Sequence, residues 1–173
     1  MKKWILCLFV LLAGCTGIPR DVSVVDNFSL QRFLGTWYEI ARLDNRFEKE
    51  LEPVSATYSL AQDGSVKVVN RGYDAKKKEW KNIEGRASFL DERQTDRGAL
   101  KVSFFGPFYA SYNVIALDSE HYSWAMVCGR DKSYFWILSK SPEMDPILLR
   151  ELVAKAASLG FDTAKIRYVR ARP

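Results

Sequence analysis

The sequence predicts an all-β protein, an eight-stranded antiparallel up-and-down barrel with one C-terminal α-helix packed outside. Three observations carry this reading. Apolar residues recur at every second position through about eight successive segments, turn chemistry separates those segments, and a single amphipathic helix follows them. Closing such a sheet on itself removes the edge strands that an open sheet would leave exposed. A sandwich satisfies the same pattern.

Lys2 and Lys3 precede an apolar run, Trp4 to Ala13, that is too short to cross about 30 Å of hydrocarbon and reads as an export signal. The run closes on Leu12-Ala13-Gly14-Cys15, where small residues suit a peptidase groove and a thiol can accept lipid. Residues 1–14 are therefore expected to be a signal peptide, with lipidation at Cys15. Residues 15–27, containing Pro19 and no helical period, read as a lipidated tether, and residues 28–173 as one barrel domain. Thr16, not Asp, follows the cysteine, which predicts delivery to the outer membrane, lipid-anchored and facing the periplasm.

Within the domain, Ser29 can cap a helical turn that runs to Leu34, and Gly35 breaks it before a strand over Thr36 to Ala41. Val54, Ala56, Tyr58 and Leu60 alternate with polar residues. Asp63-Gly64 then turns the chain into Val66 and Val68. Ile83, Gly85, Ala87 and Phe89 form the next alternating set, followed by Leu100, Val102 and Phe104. Tyr112 to Leu117, Trp124 to Cys128 and Tyr134 to Leu138 are apolar on both faces and need cover on both. A helix supplies it, with Asp145 as N-cap, Pro146 at its first position and Gly160 as its stop. Leu149, Leu152, Val153 and Ala156 share one face. A short last strand lies around Ile166 and Tyr168.

Charge and cysteine content exclude several functions. Of a formal charge of +5, Lys2 and Lys3 account for two, and the remainder is too small to argue for nucleic acid. Cys7 leaves with the signal and Cys15 is consumed by lipid, so Cys128 stands alone and no intrachain disulfide forms. One histidine, His121, and one thiol cannot supply a zinc site, and neither metal nor cofactor is expected. Glu39 and Asp118 do not read as a catalytic pair, because one sits in a strand, the other in a turn, and no partner base accompanies them.

Gly35-Thr36-Trp37-Tyr38-Glu39-Ile40-Ala41-Arg42 resembles the first signature of the lipocalin family, Gly-x-Trp at the start of the first barrel strand. Asn113 to Tyr122, with Asp118 in the turn, is similar to the second signature. Leu138-Ser139-Lys140-Ser141-Pro142 falls where the third places a basic residue, here Lys140 where the family usually has arginine. The resemblance implies that Gly35, Trp37 and Lys140 close one end of the barrel, the cation lying over the indole for about 0.5 to 2 kcal/mol.

The inward candidates for a ligand pocket are Ala56, Tyr58, Val66, Val68, Phe89, Leu100, Val102, Phe104, Tyr112, Val114 and Trp136, an apolar and aromatic lining suited to an acyl chain at about 0.8 kcal/mol per buried methylene. The small residues Ala56, Gly85 and Ala87 among them suggest space left unfilled. Arg42 and Arg71 are candidate anchors for a carboxylate or phosphate at the mouth. Phe104-Phe105-Gly106-Pro107-Phe108-Tyr109 presents several aromatics around one turn, one face lining the pocket and another free to pack on a partner. Similarity to bacterial lipocalins implies a non-enzymatic carrier of fatty acids or lysophospholipids at the outer membrane. Two other readings remain: an envelope protein that binds no ligand, and a lipid-modifying enzyme using Cys128. Strand parity, with Ala125 and Val127 inward, turns Cys128 outward under the helix. Association into a homodimer is compatible with the sequence.

Overall fold

The computed structural model describes residues 16–44 and 51–169. The expected signal peptide and Cys15 lie outside them. The chain runs α1 (Leu30–Phe33), β1 (Gly35–Leu43), β2 (Leu51–Leu60), β3 (Val66–Asp74), β4 (Glu79–Phe89), β5 (Ala99–Phe105), β6 (Phe108–Leu117), β7 (Trp124–Cys128), β8 (Phe135–Ser139), α2 (Pro146–Ser158) and β9 (Ile166–Tyr168). Every pairing is antiparallel and sequential from β2 to β8. β1 then pairs with β2 on one side and β8 on the other, so eight strands close into a barrel. β9 adds to the far half of β1, from Ala41 to Leu43, past the point where β1 leaves β2.

Two apolar clusters follow from the alternation along each strand. The inner one gathers Trp37, Tyr58, Val66, Val68, Leu100, Val114, Val127 and Leu138 inside the barrel. The outer one gathers Ile40, Ile115, Met126, Cys128 and Ile137 beneath Leu152 and Ala156 of α2. This second layer explains why β6, β7 and β8 are apolar on both faces. Asp145 caps α2, its carboxylate accepting from the Ile147 and Leu148 amides at 2.8 and 3.0 Å, and Gly160 ends the helix at φ +82°.

Residues 16–27, expected as a tether, instead lie against the barrel wall. Val22 and Val24 are buried. The Gly17 amide donates to Ser111 Oγ at 2.6 Å, and the Val25 amide to the Val114 carbonyl at 2.9 Å. The two valines bury enough apolar surface to hold down a stretch that has no periodicity of its own.

Candidate functional site

One end of the barrel is plugged. Ser29 Oγ accepts from the Arg32 amide at 3.4 Å and starts the turn of α1, which lays Phe33 across the base of the barrel. Trp37 is fully buried, stacks on Phe33 with centroids 4.6 Å apart, and donates from Nε1 to the Phe33 carbonyl at 2.7 Å. Lys140 Nζ lies 4.3 Å from the centre of the Trp37 ring and donates to the Leu34 carbonyl at 2.5 Å. Burial lowers the Lys140 pKa from its ordinary value. Gly35 adopts φ +96°, and a Cβ there would sit 3.3 Å from Lys140 Nζ, so the glycine serves both the backbone turn and the close approach of the ammonium. Gly35, Trp37 and Lys140 thus meet at one end. Asp118 shapes the β6–β7 turn above them, accepting from the Glu120, His121 and Ser123 amides.

The opposite end is bordered, among the described residues, by the β3–β4, β5–β6 and β7–β8 turns. Ala56, Tyr58, Val66, Val68, Phe89, Leu100, Val102, Phe104, Tyr112, Val114 and Trp136 all fall in the inner cluster. Their burial is graded. Trp37, Val114, Ala125 and Val127 have no accessible surface, whereas Ala56, Val102, Phe104, Tyr112 and Trp136 are half-buried and Ile83, inward by its register with Asn70, is 37% exposed. A solid barrel would cover these residues as fully as the plug. Of the three small residues expected to leave space, only Ala56 does so. Ala87 is packed at 4% exposure, and a Cβ on Gly85 would meet the Phe104 ring at 2.7 Å.

Arg71 does not join the pocket. β3 keeps strict alternation, with Val66, Val68, Asn70 and Gly72 on the inner face, so Arg71 points outward and stacks over the Trp80 ring at 4.1 Å. Arg42 takes the interior place instead. A bulge in β1 between Glu39 and Ala41 puts Glu39 opposite Leu138 and Arg42 opposite Trp136, both inward, while Ile40 and Ala41 face α2. Arg42 is completely buried, its guanidinium 2.5 Å from Glu39 Oε2 and 3.2 Å from the Leu51 carbonyl. Straight alternation from Trp37 would have turned Arg42 out, and no residue type in β1 marks the bulge.

Further polar groups accompany that ion pair. The Tyr58 hydroxyl donates to the Tyr112 hydroxyl at 2.9 Å; burial first, then Tyr58 and the charge of Glu39, raise the Tyr112 pKa well above the usual phenol value and keep it protonated. Asn70 presents a buried Oδ1 on the inner face with no hydrogen-bond partner. At the mouth, Lys81 shares the inner face with Gly72 and pairs with Asp74 at 2.5 Å, its side chain 41% exposed. The inner face is therefore apolar, with an ion pair, two tyrosine hydroxyls and, among the described residues, the half-exposed ammonium of Lys81 near the rim.

Cys128 faces outward among the residues under α2. Burial pushes its thiol up to about 12, so it carries almost no thiolate near neutral pH and is a poor nucleophile.

A closed barrel plugged at one end by an indole and a cation, with an apolar inner face that is only half-buried in places, is the architecture of a small-molecule binding calyx. The chain belongs to the lipocalin family: residues 28–171 match the family model for the lipocalin-like domain, and lipocalins bind small hydrophobic ligands. It is 53% identical over 151 residues to the outer membrane lipoprotein Blc of Escherichia coli (strain K12), covering 87% of this chain and 84% of that one. It is 48% identical over 165 residues to the Blc protein of Vibrio cholerae, covering 95% of each. Among solved structures, insecticyanin of the tobacco hornworm Manduca sexta superposes with a TM-score of 0.68 at 26% identity, over 89% of this chain and 86% of that one.

Proposed function

We propose that the protein is a carrier of single-chain lipids, fatty acids or lysophospholipids, held on the outer membrane by lipid attached to Cys15. The observation that supports it most is the graded burial of the barrel interior: sealed at Trp37, half-open from Ala56 to Ile83. An acyl chain laid against Val102, Phe104 and Trp136 exchanges water for apolar contact at about 0.8 kcal/mol per methylene. The polar groups inside carry no net charge, so the charged head group stays at the mouth beside Lys81. The likeness to outer membrane lipoproteins Blc supports the location, as does the small-residue lipobox ending in Cys15. Binding is an equilibrium partition and needs no catalytic group, which agrees with the outward, protonated Cys128.

The test is displacement of a fluorescent fatty acid from the delipidated mature chain carrying Cys15→Ser. The reading expects saturable binding, competed by palmitate and by lysophospholipid and weakened in Ala56→Phe. Absence of binding to any of these ligands favours an envelope protein without a ligand.

A further inference from the structure

The rim of the open end carries apolar surface that the chamber does not use. Phe105 and Phe108, which pair with each other at the ends of β5 and β6, are each 69% exposed, and Tyr109 beside them is 38% exposed. Phe104, their neighbour, turns into the inner cluster. Two phenylalanines at a hairpin tip gain nothing from facing water; burying both would remove enough apolar area to matter on the scale of about 1.5 to 3 kcal/mol for each ring fully covered.

Three further observations say what covers them. The described chain starts beside β6, because Gly17 is bonded to both Ser111 and Asn113. Ser111 is three residues along β6 from Phe108, about 10 Å of strand, and two residues of chain separate Gly17 from Cys15, at most about 7 Å. Gly17 is thus held on the side of the barrel that bears the hairpin, and lipid on Cys15 would start within that reach of it. Asp21 strengthens this hold through its ion pair with Lys132 of the β7–β8 turn, also at the open end. Finally, the β3–β4 turn at the same end exposes Lys76, Lys77 and Lys78, which suits anionic lipid head groups.

We infer that the Phe105–Phe108 hairpin inserts into the lipid bilayer to which Cys15 is anchored, so that the barrel stands with its open mouth against the membrane. The inference rests on the proposed lipidation of Cys15 and goes beyond it in fixing an orientation. Aromatic rings at the head-group boundary and lysines above it divide the contact as an interfacial anchor does. Lipid then passes between bilayer and chamber without crossing open water.

The experiment uses the mature acylated protein in vesicles of phosphatidylethanolamine and phosphatidylglycerol whose acyl chains carry a nitroxide quencher. Cys15 is consumed by acylation and Cys128 is buried, so Phe108→Cys takes an environment-sensitive fluorophore at one place; Leu60→Cys, 56% exposed at the plugged end, is the comparison. Both side chains are exposed, and circular dichroism checks that each variant folds. Insertion predicts blue-shifted emission at position 108, quenched at least about twofold more than at position 60. Equal quenching at both sites, or stronger quenching at position 60, overturns the orientation. So does a blue shift at position 108 that appears without vesicles and grows with protein concentration, which would mean that the hairpin packs on a second copy of the chain. An unmodified mass at Cys15 overturns both the anchor and the orientation, whereas acylated protein with equal quenching overturns the orientation alone.

Discussion

Replacing Arg42 by methionine tests the least expected feature of the interior, its buried ion pair. Arg42 has no accessible surface and Glu39 is 7% exposed, and their 2.5 Å contact lies inside a ring of apolar and aromatic side chains. Taking away the guanidinium leaves the Glu39 carboxylate desolvated and without its cation, a loss of about 3 to 5 kcal/mol for a buried pair. For a domain of this size the melting temperature falls by roughly 10 °C. The double variant Glu39→Met/Arg42→Met removes both charges together and should recover most of the loss, since the desolvation cost of the pair disappears with it. Urea unfolding of the parent, both single variants and the double variant gives the coupling. A single Arg42→Met variant that costs under about 1 kcal/mol refutes the reasoning, because it would mean that water reaches the pair and that the β1 bulge does not seal Arg42 inside.

Trp37→Ala should destabilise by roughly 3 to 5 kcal/mol, as it empties the plug and removes the indole beneath Lys140, whose ammonium keeps its bonds to the Phe33 and Leu34 carbonyls; chemical denaturation measures this, and a loss within about 0.5 kcal/mol would refute the role of the plug. Lys81→Gln should weaken binding of a fatty acid carboxylate or a lysophospholipid with little change in chain-length preference, read by fluorescent displacement across a chain-length series. Cys128 should be inert to thiol reagents at pH 8 in the folded protein and reactive once unfolded. Its raised pKa also has a sign for stability: the contribution is complete below the ordinary thiol value of 9.0, where both states are protonated, and is lost as the pH rises from there through about 12, because only the unfolded thiol ionises readily. Urea midpoints compared between the parent and Cys128→Ala over that range measure it.

Much of the architecture was legible because each strand needs only a period of two and each turn its own residues. The β2, β3 and β5 alternations, the α2 caps and the plug signatures all correspond to elements at those places. Cys128 was readable too, since parity from Ala125 and Val127 fixes its face. What escaped reading breaks periodicity or lacks it. The bulge at Ile40 reverses the faces of Ala41 and Arg42 without any Gly or Pro to announce it. Arg71 was expected at the mouth, but β3 keeps its alternation through Val69 and Asn70, so Arg71 stays outside. The first half of β4, Glu79 to Asn82, has few apolar residues because it stands at the mouth, where the inward face also meets water. Residues 16–27 carry only two buried valines, too few to show a period, yet backbone hydrogen bonds join them to Val114 and Gly98.

The central claim is that the half-open chamber holds one acyl chain. Native mass spectrometry of the delipidated mature chain carrying Cys15→Ser, titrated with palmitate and with a lysophospholipid, tests it most directly. The account predicts one added ligand per chain, of unaltered mass, retained in the parent and diminished in Ala56→Phe. Ligand that fails to add, adds equally to both proteins, or returns with a changed mass would contradict it.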